Sequence, residues 1–236
     1  MRRCFPLALA AIALTACSGE QGERAQQLLA RAEAAQARLT SATYEARMTF
    51  KMDGQTMSLV MDGGGYLKGR RAGDQLLTMR TDGVPALGAV NMQLVVRRGR
   101  ASMNLNGRRF SMPLPATARR QYDWSSTMLD LARYVKEVNV REGRVVNGEA
   151  GATIAGVLDT ESMVKAAASL DVVAQAANLG DMASNLGDMR VAVFVAQRSG
   201  LIRSAVLGMS MEAEGKKADI ELTYRLKSTN KGVPGL

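Results

Sequence analysis

No histidine occurs anywhere in the chain. Histidine general bases, Ser-His and Cys-His nucleophile pairs and histidine metal ligands are therefore excluded. Asp123, Asp130, Asp159, Glu161, Asp181 and Asp188 invite a search for paired acids or a metal cage. None of them has metal-ligand spacing or stands in a catalytic motif. The expectation is a protein that is not an enzyme and uses no cofactor or metal. Cations remain. Arg70-Arg71, Arg97-Arg98 with Arg100, Arg108-Arg109, Arg119-Arg120 and Lys216-Lys217 gather at turn signals, and the formal net charge is +9. A basic balance favours anionic partners. Alternate turns of an up-and-down meander lie at the same end, so Arg70, Arg71, Arg97, Arg98 and Arg100 form a candidate contact with headgroups or a membrane. The competing reading is a solvated rim that keeps sheet edges apart. Nucleic acid is not an expected partner, because aromatic residues make up only 4% of the chain and no basic helix or base-stacking motif appears.

The two cysteines, Cys4 and Cys17, both lie near the N-terminus. Arg2 and Arg3 precede an apolar run over residues 5–14, which is long enough for a secretory leader and too short to span a bilayer. Leu14-Thr15-Ala16-Cys17 follows. It resembles the processing site of bacterial lipoproteins, where the cysteine sulfur is acylated and cleavage leaves that cysteine first. The implied division is a signal peptide over 1–16, a lipidated tether over 17–23, a folded domain over 24–228 and a flexible tail over 229–236. Several acyl chains on Cys17 would hold the chain firmly, each buried CH₂ adding roughly 0.8 kcal/mol. The tether beyond Cys17 spans about 20 Å when extended. The domain is thus expected close to a membrane and outside the cytoplasm, anchored to the bacterial cell membrane or the outer membrane.

The elements come next. Residues 24–39 are rich in Ala, Leu, Gln, Glu and Arg, with Leu28, Ala32, Ala35 and Leu39 on one helical stripe. Then the period becomes two: Tyr44, Ala46, Met48, Phe50 and Met52 alternate with Glu45, Arg47, Thr49 and Lys51. Asp53-Gly54 turns the chain, and Met57, Leu59 and Met61 continue the apolar face. Gly63-Gly64-Gly65 predicts a turn, 66–69 a short strand and 82–89 a loop. Between and beyond them Leu77 and Met79, then Met92, Leu94 and Val96, then Ala101, Met103 and Leu105 repeat the pattern. Asn106-Gly107 turns again before Phe110 and Met112, and Pro113 and Pro115 stop the run. Residues 125–135 and 160–173 read as helices, the second carrying Met163 and Leu170. Val138, Val140 and residues 148–158 read as strand, and 178–188, with its near-repeat of Asn-Leu-Gly-Asp-Met, as a loop. The chain closes with an apolar strand over 189–196, a strand over 201–211 and a last alternating strand around Ile220, Leu222, Tyr224 and Leu226. Residues 231–236 read as loose.

This order of leader, helix, long meander, mid-chain helices and closing strands resembles the LppX/LprG family of bacterial lipoproteins, and more distantly the LolA/LolB carriers. The local likenesses are the strand over 41–52 after the helix, the turn Gln197-Arg198-Ser199-Gly200-Leu201-Ile202, and the last strand ending at Lys227. The likeness covers 24–228 and rests on order and periodicity. It implies an α+β fold: a half-barrel made of a single highly curved antiparallel sheet of about ten strands. An N-terminal helix and mid-chain helices would cover its concave apolar face. Between sheet and helices it implies an apolar cavity holding acyl chains, with no catalytic residues. Candidate lining residues from the first hairpin are Met48, Phe50, Met52, Met57, Leu59 and Met61. The meander adds Met79, Met92, Leu94, Met103 and Leu105, the mid-chain helix Met163 and Leu170, and the closing strands Met209, Met211 and Leu222. Methionine suits an irregular apolar surface, although it serves equally as core filler.

Two functions follow as expectations. One is a membrane-anchored, non-catalytic carrier, monomeric, that binds a lipid or acylated ligand and passes it to an envelope export or acceptor protein. The other is an interaction module with a filled core that meets an envelope protein or anionic polymer through its basic rim.

Overall fold

The computed structural model describes residues 19–82, 90–113, 132, 134–159, 189–213 and 216–236. One helix, α1 (Glu20–Gln36), precedes eleven strands: β1 (Ser41–Met52), β2 (Gln55–Tyr66), β3 (Gln75–Asp82), β4 (Asn91–Arg97), β5 (Arg100–Leu105), β6 (Arg108–Pro113), β7 (Val135–Val146), β8 (Glu149–Leu158), β9 (Arg190–Ala196), β10 (Ile202–Ala213) and β11 (Lys216–Thr229). All pair antiparallel in one unclosed sheet of order β6-β5-β4-β3-β2-β1-β11-β10-β9-β8-β7. A sheet this wide curls rather than staying flat. It is the curved half-barrel that the family resemblance implies, with eleven strands among the described residues rather than about ten.

The hairpins follow local chemistry. Asp53-Gly54 and Asn106-Gly107 both adopt positive φ at both positions, as a two-residue hairpin with the right twist requires. The long-range step is β1 on β11, which joins the two halves of the chain at the centre of the sheet. Two polar staples cross this seam. Thr43 Oγ1 and Ser228 Oγ lie 2.7 Å apart. Lys227 Nζ reaches Asp62 at 2.8 Å and Glu45 at 3.2 Å. Hydrogen bonds to these two carboxylates raise the Lys227 pKa against the opposing effect of burial. At the β8 end of the sheet, Glu149 accepts from Ser199 Oγ at 2.7 Å and pairs with Arg203. Burial works against the ionised carboxylate, but those bonds, with the charges of Arg203 and Arg198, prevail and hold its pKa below the ordinary value.

Helix α1 packs on the inner face of the sheet. Ala25, Leu29 and Ala32 are buried in one cluster with Tyr44, Val193, Val195, Ile202, Tyr224 and Leu226. The buried stripe is turned slightly from the expected one, leaving Leu28 and Ala35 half-buried at its flank. The helix also starts earlier, at Glu20 rather than residue 24, and so takes up most of the expected tether. Glu20 and Glu23 in its first turn favour that start, since acidic groups suit the positive end of the helix dipole.

Three other expectations change. Gly63-Gly64-Gly65 is not a turn; it lies within β2, opposite Tyr44, Thr43 and Ala42. A Cβ on Gly63 would stand 2.5 Å from the Tyr44 ring, so glycine is present because a large side chain lies over it. The turn comes after Tyr66, and no strand follows there. Val135, expected to end a helix, begins β7, and β7 bulges near Glu137 and Gly143, as edge strands often do. Residues 231–236 are packed rather than loose: Val233 is buried, Ser41 Oγ donates to the Lys231 carbonyl at 2.6 Å, and Val233 N–H donates to Tyr66 Oη at 3.2 Å. The mid-chain helices and the loop over 178–188 lie outside the described residues, apart from buried Ala132.

Candidate functional site: an apolar inner face and a basic rim

Cross-strand register sorts the candidate lining residues into rows on the face that carries α1. One row runs Met209, Ile220, Phe50, Met57 across β10, β11, β1 and β2. The next runs Leu207, Leu222, Met48, Leu59. A third runs Tyr224, Ala46, Met61, Met79, Met92, Leu105 out to β5. A fourth runs Tyr44, Gly63, Leu77, Leu94, Met103, Phe110 out to β6. Met211 takes the register position opposite Ala218. Met52 stands at the end of β1 opposite Gln55 and is 45% exposed. Met163 and Leu170 lie outside the described residues.

Burial divides this face in two. On the half of the sheet where α1 packs against β7 and β9, the inner residues of β9, β10 and β11 are sealed: Val193, Ile202 and Leu226 are each 0% exposed. Tyr44 and Tyr224 close the floor there, with ring centroids 6.1 Å apart. Away from α1, Met48, Phe50, Met57, Leu59, Met79, Met92, Leu94, Met103, Leu105 and Met209 are only half-buried, though they occupy the same apolar rows. Met61 and Leu222 are the buried base of this half, at 4% and 8% exposure. Among the described residues, the helix thus seals one half of the concavity, and the other half presents a half-buried surface of methionine, leucine and phenylalanine. Phe110 and Ile220, not counted as lining residues from sequence, extend its rows; their period-two placement was the available signal.

Two clefts on the described surface lie elsewhere. One of about 750 Å³ is walled by Thr49, Lys51, Asp219 and Glu221, and one of about 400 Å³ by Ala155, Ala192 and Val206. They meet at Gly208 and Arg190, on the outer face by register. Among the described residues, no group of three His, Cys, Asp or Glu could hold a metal ion, and no helix is long and apolar enough to cross a membrane.

The basic turns do share one end. The Arg98 N–H, in the β4–β5 turn, donates to Oδ1 of Asp74, in the β2–β3 turn, at 3.0 Å. Asp74 is only 7% exposed, and its other oxygen meets Arg71 Nε at 3.4 Å. Arg71 also stacks on Tyr66, 4.1 Å from the ring centroid, and Arg97 Nη2 donates to the Gly235 carbonyl at 2.9 Å. Arg71 and Arg97 therefore serve the rim's own structure. Arg70, Arg98 and Arg100 are exposed and, among the described residues, make no ion pair. Asp74 and Tyr66 are what the sequence did not mark; their partners come from turns far apart in the chain.

Among the described residues, the chain is an unclosed, curved antiparallel sheet with one helix seated in its concavity, a half-barrel whose fold is like that of solved mycobacterial lipoproteins. The particular likenesses are to LprF from Mycobacterium bovis, with TM-score 0.54 at 13% identity over 89% of this chain and 95% of that one, and to the Mycobacterium tuberculosis lipoprotein LppX, with TM-score 0.50 at 17% identity over 88% and 97%. At such identities the likeness is one of fold. A LolA superfamily protein from Nitrosomonas europaea aligns more loosely, with TM-score 0.29 at 8% identity over 86% of this chain and 94% of that one. No family model and no curated protein matches the sequence.

Proposed function

We propose that this chain is a membrane-anchored, non-catalytic carrier that binds lipids or other amphiphiles on its apolar inner face and transfers them within the bacterial cell envelope. The observation that carries this is the half-buried state of the methionine and leucine rows over β1–β5 beside a fully sealed half under α1. Left half in water, each large side chain forgoes part of the about 1.5–3 kcal/mol that full burial gives, and an acyl chain laid across the rows would recover it. Unbranched methionine adapts to tails of different shape. The ligand's tails would lie on the rows and its head at the mouth. Cys17 would be acylated and hold the protein to the membrane, outside the cytoplasm. The fold shared with the lipoprotein LppX supports this reading.

Binding of an environment-sensitive fluorescent fatty acid tests it. The chain should bind the probe, and unlabelled phospholipid should displace it. Met57→Arg or Met103→Arg, at half-buried positions that tolerate a charge better than a sealed core, should keep the circular dichroism spectrum and lose probe binding at least tenfold, about 1.4 kcal/mol. Folded variants that bind the probe as well as the parent chain would count against the inner face as the binding surface.

A further inference from the structure

The basic rim and the expected anchor lie at opposite ends of α1. The C-terminal end of the helix is fastened to the rim: Lys68 Nζ, in the β2–β3 turn, donates to the Ala37 carbonyl, and the Leu67 N–H donates to the Thr40 carbonyl at 2.8 Å. Its N-terminal end is fastened to the middle of β7, where Val140 N–H donates to Gln21 Oε1 at 2.8 Å and Arg24 pairs with Glu142. The helix between them has 17 residues and is about 25 Å long. Only Ser18 and Gly19 separate Cys17 from Glu20, a reach of about 10 Å. Exposed charges are screened beyond about 8 Å at physiological salt. With α1 standing up from the bilayer that holds Cys17, the rim is some three screening lengths away from it.

The helix is not built to lie flat. Its exposed side carries Glu20, Glu23 and Glu33 against Arg24 and Arg31. Arg24 is already committed to Glu142, and Arg31 to the Gln197 carbonyl. Apart from alanine, that side offers nothing apolar to insert, and its carboxylates oppose anionic headgroups. The opposite end of the sheet has exposed cations of its own, Lys51 beside the β1–β2 turn and Arg108 and Arg109 beside the β5–β6 turn. Exposed cations thus stand at both ends of the sheet, although at this second end Asp53, Asp219 and Glu221 stand among them.

We propose that Arg70, Arg98 and Arg100 dock on a second anionic bilayer, facing the one that holds Cys17, so that the chain bridges two membranes with its open inner face between them. This rests on the anchored-carrier reading. After removal of the leader, Cys17 is the single thiol of the chain, so it can be coupled to a maleimide lipid in phosphatidylcholine vesicles. Light scattering should then show the coupled chain clustering added vesicles that contain phosphatidylglycerol, and not added phosphatidylcholine vesicles. Arg70→Glu, Arg98→Glu and Arg100→Glu together should weaken this contact roughly a hundredfold, each arginine contributing about fivefold at an anionic surface. The corresponding triple Gln variant, which leaves no new charge beside Asp74, should lose nearly as much. Both variants should keep their lipid load by mass spectrometry. Failure of the coupled parent chain to cluster anionic vesicles, or clustering that survives both triple variants, overturns the proposal; the first result would assign the rim to an acidic protein or to solvent. Clustering without lipid load in any chain would instead sink the carrier reading and leave bridging intact.

Discussion

Gly63 is the residue whose role is most easily mistaken. Three glycines in a row read as a turn, because glycine frees the backbone. Here they sit inside β2, and at Gly63 the cause is the Tyr44 ring pressed against the strand, whereas a Cβ on Gly64 would meet Thr43 and Ala42 and one on Gly65 would meet Gln75 and Asp74. Gly63→Ala should therefore cost about 1–3 kcal/mol through overpacking, seen as a lower urea midpoint. Gly208→Ala, where an added Cβ meets nothing within 4 Å, should leave the midpoint nearly unchanged. Equal effects of the two would mean that backbone freedom, not contact with Tyr44, explains Gly63. The same contrast marks the rim arginines. Sequence makes Arg70, Arg71, Arg97, Arg98 and Arg100 alike; the fold ties Arg71 to Asp74 and Tyr66 and Arg97 to Gly235, while Arg70, Arg98 and Arg100 are exposed and make no ion pair among the described residues.

Elements were legible where their signals are local. The β1–β2 and β5–β6 hairpins stand where Asp53-Gly54 and Asn106-Gly107 predict them, and the alternation from Tyr44 to Met61 sets Tyr44, Ala46 and Met61 on the face that carries α1. Elements held by distant partners were not legible. Residues 231–236 look like a loose end because Ser41, Tyr66 and Arg97, which hold them, are far away in sequence. Glu149 is similar: nothing near it announces that Ser199 and Arg203 will tie β8 to the β9–β10 turn. Its pKa is held below the ordinary 4.5 in the folded chain, so its contribution to stability is full above the unfolded value and is lost as pH falls through the lower folded one. Glu149→Gln should remove that part of the acid-induced loss. A stability–pH curve below pH 5 with the same slope in parent and variant would contradict the assignment.

At the scale of the whole molecule, the order of helix and strands was enough to suggest the half-barrel, because period and turn chemistry survive without any chemical motif. Which half of the inner face α1 seals was not readable. That depends on where α1 lies: it packs against β7 and β9, across the β1–β11 seam from the methionine rows of β1–β5. The most direct measurement is native mass spectrometry of the chain with Cys17→Ser, exported into a bacterial envelope without its own acyl groups. The account predicts a folded population heavier than the polypeptide by the mass of a lipid, released on collisional activation, and missing from Met103→Arg. Bare polypeptide mass alone in the folded parent chain, even after incubation with membrane lipids, would contradict it.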